Sequence, residues 1–203
     1  MTSHQPIILG LTGGIACGKS EVGRILQQNG FAVLDTDTLA HELMKAGTPV
    51  FKKITERFGE LVIGADGEID RVELGRIVFE NPDALRSLNE LVHPAVIEAA
   101  EQWKAQQHGD AAVLIPLLFE TGWTNGWSAI VCVSAKEETV FQRLEERGLS
   151  EAEARKRIAA QMPLNEKEKQ SDFVLRNNET LDALRTETVK VLEAVRSRGN
   201  DHE

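Results

Sequence analysis

The feature that most constrains the chain is a glycine-rich pattern close to its start. Residues 13–20 read Gly-Gly-Ile-Ala-Cys-Gly-Lys-Ser and fit G-x-x-x-x-G-K-[ST]. An apolar segment, 7–11, precedes the pattern, and a helix-like stretch follows it. Glycines let backbone N–H groups curl around a polyphosphate, while Lys19 neutralises its outer oxygens and the Ser20 hydroxyl binds Mg²⁺. This strand–loop–helix setting predicts a phosphate-binding loop.

Length and composition are those of an ordinary globular protein. The 203 residues, of which 41% are hydrophobic and 27% charged, suit one α/β domain with a small subdomain or lid. Residues 1–6 lack a cationic leader pattern, and no apolar run approaches the roughly 18 residues that a membrane span needs. We therefore expect a cytoplasmic protein with no membrane partner.

Charge is distributed unevenly along the chain. The formal net charge of −9 argues against broad nucleic-acid binding, which usually uses a basic face. The segment 143–157 is nevertheless locally basic. Arg143 and Arg147, four residues apart, share one helical face and are predicted to neutralise a transferred phosphoryl group. For Arg155 and Lys156 we favour a solvated surface with glutamate partners.

The two cysteines, Cys17 and Cys132, have no zinc-ligand spacing and give little reason to expect a disulfide. Cys17 occupies a variable position of the loop pattern. Phosphoryl transfer needs no covalent enzyme intermediate, so Cys17 is interpreted as a small filler rather than a nucleophile. Its place in the loop nevertheless predicts sensitivity to alkylation.

Short and nearly unbroken apolar runs predict five strands, at 7–12, 31–35, 111–116, 129–133 and 173–176. Runs of this kind are typical of parallel strands buried on both faces, with helices as the crossovers. The fold class is therefore α/β with a parallel sheet.

The region 38–107 interrupts this alternation and contains no convincing strand. Helices are predicted near 39–46, 49–58 and 71–79, and a long helix follows Asn81, its predicted N-cap. Pro94 is expected to start or kink the second half of that helix. Further along, Ser150 and Glu153 form a predicted capping box.

Several acidic and basic side chains stand where chemistry is expected. Asp35 and Asp37 follow the second predicted strand, and Glu120 follows the third. Ligands of open α/β sheets collect at the carboxyl ends of the strands, so Asp35 and Asp37 are placed for contacts with metal-bound water and for proton acceptance. Helix capping is the alternative for the two aspartates, and a plain loop carboxylate is the alternative for Glu120. His93, beside a proline, reads from pattern alone as a cap or a satisfied core group.

Taken together, these motifs resemble the dephospho-coenzyme A kinase family. The resemblance extends along nearly the whole chain and rests on Leu11–Ser20, Asp35-Thr36-Asp37, Leu91-Val92-His93-Pro94, Pro116-Leu117-Leu118-Phe119-Glu120 and Arg157–Gln161. It implies transfer of the γ-phosphoryl group of ATP to the 3′-hydroxyl of dephospho-coenzyme A, the last step of coenzyme A synthesis. The implied fold is that of nucleoside monophosphate kinases, a P-loop kinase core with a five-stranded parallel sheet.

The resemblance also implies a division of the chain. The nucleotide-binding core corresponds to 1–37, 108–137 and 166–203, the helical coenzyme A-binding domain to 38–107, and the helical lid to 138–165. A monomer acting on a small-molecule substrate is favoured.

The family's functional residues carry over to positions that match. Asp37 is the implied base and Asp35 lies near the metal waters, while Arg143 and Arg147 are the implied lid arginines. Arg71, His93 and Glu120 are implied to seat dephospho-coenzyme A together with Asp35 and Asp37. ATP is implied to bind at Gly14, Ile15, Ala16, Cys17, Gly18, Lys19, Ser20, Glu21 and Asn177, with Mg²⁺ at Ser20.

Two residues depart from the family's usual loop. Ala16 replaces a glycine and tolerates fewer backbone angles. Glu21 places a carboxylate in the first helical turn, close to a bound polyphosphate. Both changes predict a somewhat lower affinity for ATP.

Two other functions fit part of the pattern. A kinase for a smaller acceptor such as shikimate shares the phosphate loop and the Asp-x-Asp motif, but the long helical region is larger than a small acid needs. A nucleotide-dependent switch would carry a base-selective Asn-Lys-x-Asp motif, which the sequence lacks.

Overall fold

The computed structural model describes residues 6–200, with side chains for residues 6–198. The expectation about a leader pattern at 1–6 therefore falls almost entirely outside the described residues. The chain divides into two compact units, one formed by 1–35 with 106–203 and the other by 36–105. Each unit has its own hydrophobic core.

A five-stranded parallel sheet organises the first unit. Its strands stand in the order β2-β3-β1-β4-β5, and each neighbouring pair is parallel. The strands are β1 Ile8–Gly13, β2 Ala32–Asp35, β3 Ala111–Leu114, β4 Ala129–Ser134 and β5 Phe173–Arg176. Every residue of β3 and β4 is buried, as expected of strands covered on both faces. The predicted α/β fold is confirmed.

The third strand is shorter than predicted. The apolar run continues to Pro116, but β3 ends at Leu114. Ile115 still donates its backbone N–H to the Leu11 carbonyl, and Pro116 has no N–H with which to continue the ladder. The chain therefore leaves the sheet at this proline.

Helices α1 and α6–α9 complete the first unit. They span Lys19–Gln28, Glu137–Glu145, Glu151–Ala159, Leu164–Gln170 and Leu181–Asn200. Helix α7 begins with the predicted capping box, in which Ser150 and Glu153 satisfy each other's backbone N–H groups.

A pair of tryptophans packs beside the central strand. The rings of Trp123 and Trp127 meet edge to face with centroids 5.0 Å apart, and Trp127 Nε1 donates to the Trp123 carbonyl. A Cβ on Gly10 would lie 3.0 Å from the Trp127 ring. Glycine at this position of β1 therefore makes room for the aromatic pair.

The second unit is helical. Its elements are α2 Thr36–Leu43, α3 Pro49–Phe58, a 3₁₀ turn Glu60–Val62, α4 Arg71–Glu80 and α5 Pro82–Ala105. The Asn81 side chain accepts N–H groups of Asp83 and Ala84, so the predicted cap is present. Pro94 does not start a new helix, because α5 runs continuously through it. A proline costs the helix one backbone hydrogen bond. Packing of the apolar side of α5 into the core of this unit offsets that loss.

The two observed units differ from the three functional regions implied by the resemblance. Residues 138–165 belong to the first compact unit, and their action as a lid stays a prediction. Every helix within residues 6–200 is too short or too polar to cross a membrane.

Candidate active site

The phosphate-binding loop connects β1 to α1, and two of its glycines are required by geometry. Gly13 has φ 142° and Gly18 has φ 104°, backbone angles that disfavour L side chains. A Cβ on Gly13 would overlap the Val133 carbonyl, and one on Gly18 would overlap the Asn177 amide. The loop is therefore packed closely against β4 and against the chain that follows β5.

Ala16 takes up a left-handed backbone conformation in this loop. Its φ is 56°, and among the described residues it alone has positive φ without being glycine. This conformation costs a residue with a Cβ about 1–2 kcal/mol. Surrounding contacts must therefore stabilise this backbone conformation at residue 16, where alanine replaces the glycine that is usual in the family.

Lys19 lies across the first half of the loop. Its Nζ donates to the carbonyls of Gly13 at 3.0 Å and Gly14 at 2.9 Å. Ser20 is exposed in the first turn of α1. The N-terminus of α1 has no side-chain cap, so its first N–H groups can bind an anion.

Arg143 and Asn177 hold the loop in place through hydrogen bonds to its backbone carbonyls. Arg143 Nη1 donates to the Ala16 carbonyl at 3.1 Å, and its Nη2 donates to the Asn177 carbonyl at 3.3 Å. The buried Asn177 amide donates to the Cys17 carbonyl at 2.9 Å. We call these three bonds the loop clamp. It binds two successive carbonyls, and it was not predicted from the sequence because its partners lie far apart along the chain.

The Cys17 thiol is poorly placed for reaction. Its residue is 1% exposed, and burial raises the pKa of the thiol above its ordinary value. The thiolate is the reactive form, so burial and the raised pKa oppose the expected sensitivity to alkylation, which stays a prediction. The interpretation of Cys17 as a small filler agrees with this burial.

Glu21 has a cationic neighbour. Its carboxylate accepts from Arg24 Nη1 at 2.6 Å. The pair lies on one face of α1, where oppositely charged residues three apart attract each other. Part of the repulsion expected between Glu21 and a polyphosphate is thereby offset.

The basic segment contains arginines in different environments. Arg143 is half-buried in α6, whereas Arg147 is exposed in the turn after it, just before the left-handed Gly148. Within the described part of the chain Arg147 forms no ion pair. Arg155 pairs with Glu151 at 2.7 Å, in agreement with its interpretation as a surface residue.

Glu120 is held by a buried cation. The Lys167 ammonium, which is 0% exposed, lies 2.8 Å from Glu120 Oε1 and donates to the Pro116 carbonyl at 2.6 Å. The backbone N–H of Met162 donates to the same Glu120 oxygen at 2.8 Å. Sequence reasoning missed Lys167, which stands in a polar run typical of an exposed helix.

A cavity of about 320 Å³ adjoins the loop. Gly14 and Ile15 line it from the loop, Val140 and Ile158 line it from α6 and α7, and the segment 161–164 lines it as well. Helices of the predicted lid thus border the space directly beside the phosphate-binding loop.

The remaining candidates are distributed between the two units. Asp35 ends β2 in the first unit. In the second unit Asp37 is exposed in the first turn of α2, and Arg71 is exposed at the start of α4. His93 is half-buried on α5, where it borders an open groove of about 370 Å³, and burial lowers the pKa of its imidazole.

Comparison with known proteins assigns the family. The dephospho-CoA kinase family model matches residues 7–183. A dephospho-CoA kinase of Symbiobacterium thermophilum is 44% identical over 187 residues, which cover 89% of this chain and 77% of that protein. The chain belongs to the dephospho-CoA kinase family. This family catalyses the final step of coenzyme A biosynthesis, so the chain is an ATP-using P-loop kinase.

Solved structures agree with this assignment. A dephospho-CoA kinase from Campylobacter jejuni is 29% identical with a TM-score of 0.67, covering 95% of this chain and 98% of that one. A shikimate kinase from Acinetobacter baumannii, at 15% identity, has a TM-score of 0.56 and covers 96% of each chain. The second likeness shows a shared fold alone.

Proposed function

We propose that the chain phosphorylates the 3′-hydroxyl of dephospho-coenzyme A with the residues that the sequence analysis singled out. The preformed phosphate-binding loop carries the proposal, because Lys19 and the uncapped start of α1 supply a cationic site for the phosphates of ATP. Family membership supports dephospho-coenzyme A as the acceptor.

Mg²⁺ fits the loop at Ser20. In nucleotide sites Mg²⁺ takes one or two protein oxygens and completes its shell with phosphates and water. The exposed Ser20 hydroxyl supplies such an oxygen, and Asp35 supplies a carboxylate for metal-bound water. When bound, Mg²⁺ neutralises charge on the β- and γ-phosphates.

Asp37 is proposed as the base that accepts the proton of the acceptor hydroxyl. It lies two residues beyond the end of β2 and is exposed, as a carboxylate that receives a substrate hydroxyl must be. Positioning and electrostatics supply most of the acceleration in phosphoryl transfer, and a base at the nucleophile adds to them.

The two arginines of the basic segment are proposed to have different roles. Arg147, exposed and without an ion pair among the described residues, is available to neutralise the transferred phosphoryl group. Arg143 acts on the loop through its bonds to two backbone carbonyls. Asn177 shares that supporting role and is proposed to border the adenine.

The acceptor is proposed to be seated by Arg71 and His93 of the helical unit and by Glu120 of the first unit. Arg71 supplies a cation for phosphates. At neutral pH the lowered pKa keeps His93 uncharged, so it can donate one hydrogen bond and accept another.

A coupled assay of ADP release over a panel of acceptors tests the function. We expect turnover with dephospho-coenzyme A, a product that carries a 3′-phosphate by mass spectrometry, and no turnover with shikimate or gluconate. A response to shikimate alone would overturn the assignment of the acceptor. Hydrolysis of ATP that ignores every acceptor would favour a nucleotide-dependent switch instead.

Mg²⁺ dependence, cytoplasmic location and the monomeric state stay predictions. Titration of a metal-free sample with Mg²⁺, followed by turnover, tests the first. Light scattering during size-exclusion chromatography tests the last.

A further inference from the structure

Lys167 is the largest side chain that is fully buried in the described part of the chain. Burying an ammonium group is costly unless it is paired and hydrogen-bonded. Lys167 meets this requirement with two oxygens, Glu120 Oε1 and the Pro116 carbonyl. Both belong to the segment that follows β3, so α8 is fastened to that segment through one cation.

The same carboxylate oxygen also holds the chain ahead of α8. Met162 donates its backbone N–H to Glu120 Oε1, and Met162 lies between the end of α7 at Ala159 and the start of α8 at Leu164. A carboxylate oxygen has room for two donors. Glu120 therefore joins the connection between the two helices to the core of the first unit.

The fastened segment borders the cavity beside the phosphate-binding loop. Residues 161–164 line that cavity together with Gly14 and Ile15. Helix α8 packs against β1 and β4, whereas α7 is largely exposed, with Ala154 its only buried residue. The two helices thus differ in how firmly they are held, and the change occurs at residues 160–162.

We propose that Lys167 is a positioning residue for phosphoryl transfer. Its ammonium fixes the Glu120 carboxylate, which in turn fixes Met162, so that α7 moves about a pivot between Ala159 and Met162 while α8 stays in place. The effect on turnover rests on the proposed role of Arg147 in phosphoryl transfer, since a misplaced pivot would misplace Arg147, which lies in the turn before α7.

Lys167→Met keeps the length of the side chain and removes its charge. We expect kcat with dephospho-coenzyme A to fall about tenfold or more while the KM for ATP changes less than about threefold. Lys169→Met is the matched control, because Lys169 lies on the same helix in an exposed pair with Glu166. Equal kcat values for the two variants would overturn the proposal.

Hydrogen exchange of the peptide that contains Met162 tests the pivot without any activity. We expect exchange in residues 160–164 to be at least about tenfold faster in Lys167→Met than in the wild type and unchanged in Lys169→Met. Unchanged exchange in Lys167→Met would contradict the proposal. This measurement stays decisive even if the wild type fails the acceptor assay, so the two failures can be told apart.

The double variant Glu120→Gln with Lys167→Met separates positioning from simple stability. Glu120→Gln alone leaves a buried ammonium without its counter-charge, and the double variant removes that charge as well. We expect the double variant to unfold at a higher denaturant concentration than Glu120→Gln, yet to keep the fast exchange of residues 160–164 seen in Lys167→Met. Slow exchange that returns together with stability would show that Lys167 has only a structural role.

Discussion

The phosphate-binding loop and the helical unit present their candidate residues in opposite ways. In the loop the polar groups bond to the protein itself, since Lys19, Arg143 and Asn177 all donate to carbonyls of the loop. In the helical unit Asp37 and Arg71 are exposed on helix surfaces. The nucleotide side is built in advance, whereas these two candidates of the acceptor side are exposed to solvent.

This difference predicts two classes of variant. A substitution in the loop or its clamp should change stability and nucleotide binding together, because the same bonds shape the site and the fold. A substitution of an exposed candidate in the helical unit should change acceptor chemistry alone, because surface changes rarely exceed about 0.5 kcal/mol in stability.

Asp37→Asn is expected to have the largest effect. Removing a general base typically lowers the rate 10²- to 10⁴-fold, so we expect kcat to fall at least about 10²-fold while the dissociation constant of ATP stays within about threefold. Asp182→Asn is the control, since Asp182 also lies in a first helical turn and is exposed. Near-normal kcat in Asp37→Asn would show that Asp37 is not the general base.

Gly18→Ala should destabilise the loop side of the molecule. The new methyl group would overlap the Asn177 amide, and the alanine would have to adopt a positive φ. Together these cost about 2–3 kcal/mol. Gly30→Ala is matched, because Gly30 has φ 87° and a methyl group added there would meet nothing within 4 Å. Denaturant unfolding of the two variants isolates the clash, and equal midpoints would show that Asn177 yields freely.

Arg143→Met and Arg147→Met compare a clamp residue with an exposed one. Loss of the Arg143 bonds should weaken ADP binding about tenfold and lower the free energy of unfolding by about 1–2 kcal/mol. Arg147→Met should lower kcat about tenfold with little change in stability. Calorimetric titration with ADP measures nucleotide binding, and unfolding by denaturant measures stability. If both variants altered kcat alone, the clamp would have no supporting role.

Arg71→Met should change acceptor binding only. Arg71 is exposed, and within residues 6–198 its side chain forms no ion pair. We expect the KM for dephospho-coenzyme A to rise about fivefold to tenfold, as for loss of one charge-assisted hydrogen bond, with the KM for ATP unaltered. Initial-rate kinetics with each substrate varied would show this. A rise in the KM for ATP would contradict the assignment of Arg71 to acceptor binding alone.

Ala16→Gly is expected to have the smallest effect. Relief of about 1–2 kcal/mol of left-handed strain is opposed by the greater flexibility of glycine when unfolded and by loss of a buried methyl group worth about 0.8 kcal/mol. The free energy of unfolding should therefore change by less than about 1 kcal/mol, as chemical denaturation would measure. A loss of more than about 2 kcal/mol would mean that the Ala16 methyl is itself needed for packing.

Local patterns predicted much of this molecule. The five apolar runs became the five strands because short apolar runs are typical of strands in a parallel sheet, although only β3 and β4 are buried throughout. Ser150 and Glu153 capped α7 because a capping box needs only neighbours in sequence. The bond from Asn177 to Cys17 spans 160 positions, and no periodicity reports such a partner. Lys167 was missed for the same reason, since a lysine among glutamates looks exposed until its counter-charge is located.

The predicted end of the third strand was wrong, and the expected reactivity of Cys17 is opposed by its burial, each for a physical reason. The predicted third strand was too long, because its apolar run extends to Pro116, which has no backbone N–H with which to continue the ladder. Cys17 was expected to react because of its place in the loop pattern, but a pattern carries no information about solvent access.

The edge-to-face tryptophan pair gives the molecule an unlabelled optical reporter. The chain has three tryptophans and no tyrosine; Trp123 and Trp127 belong to the sheet-containing unit, and Trp103 belongs to the helical one. Near-ultraviolet emission of a Trp103→Phe variant would come from the sheet-containing unit alone. Unfolding followed by tryptophan emission in this variant and in the wild type would therefore tell whether the two units unfold together.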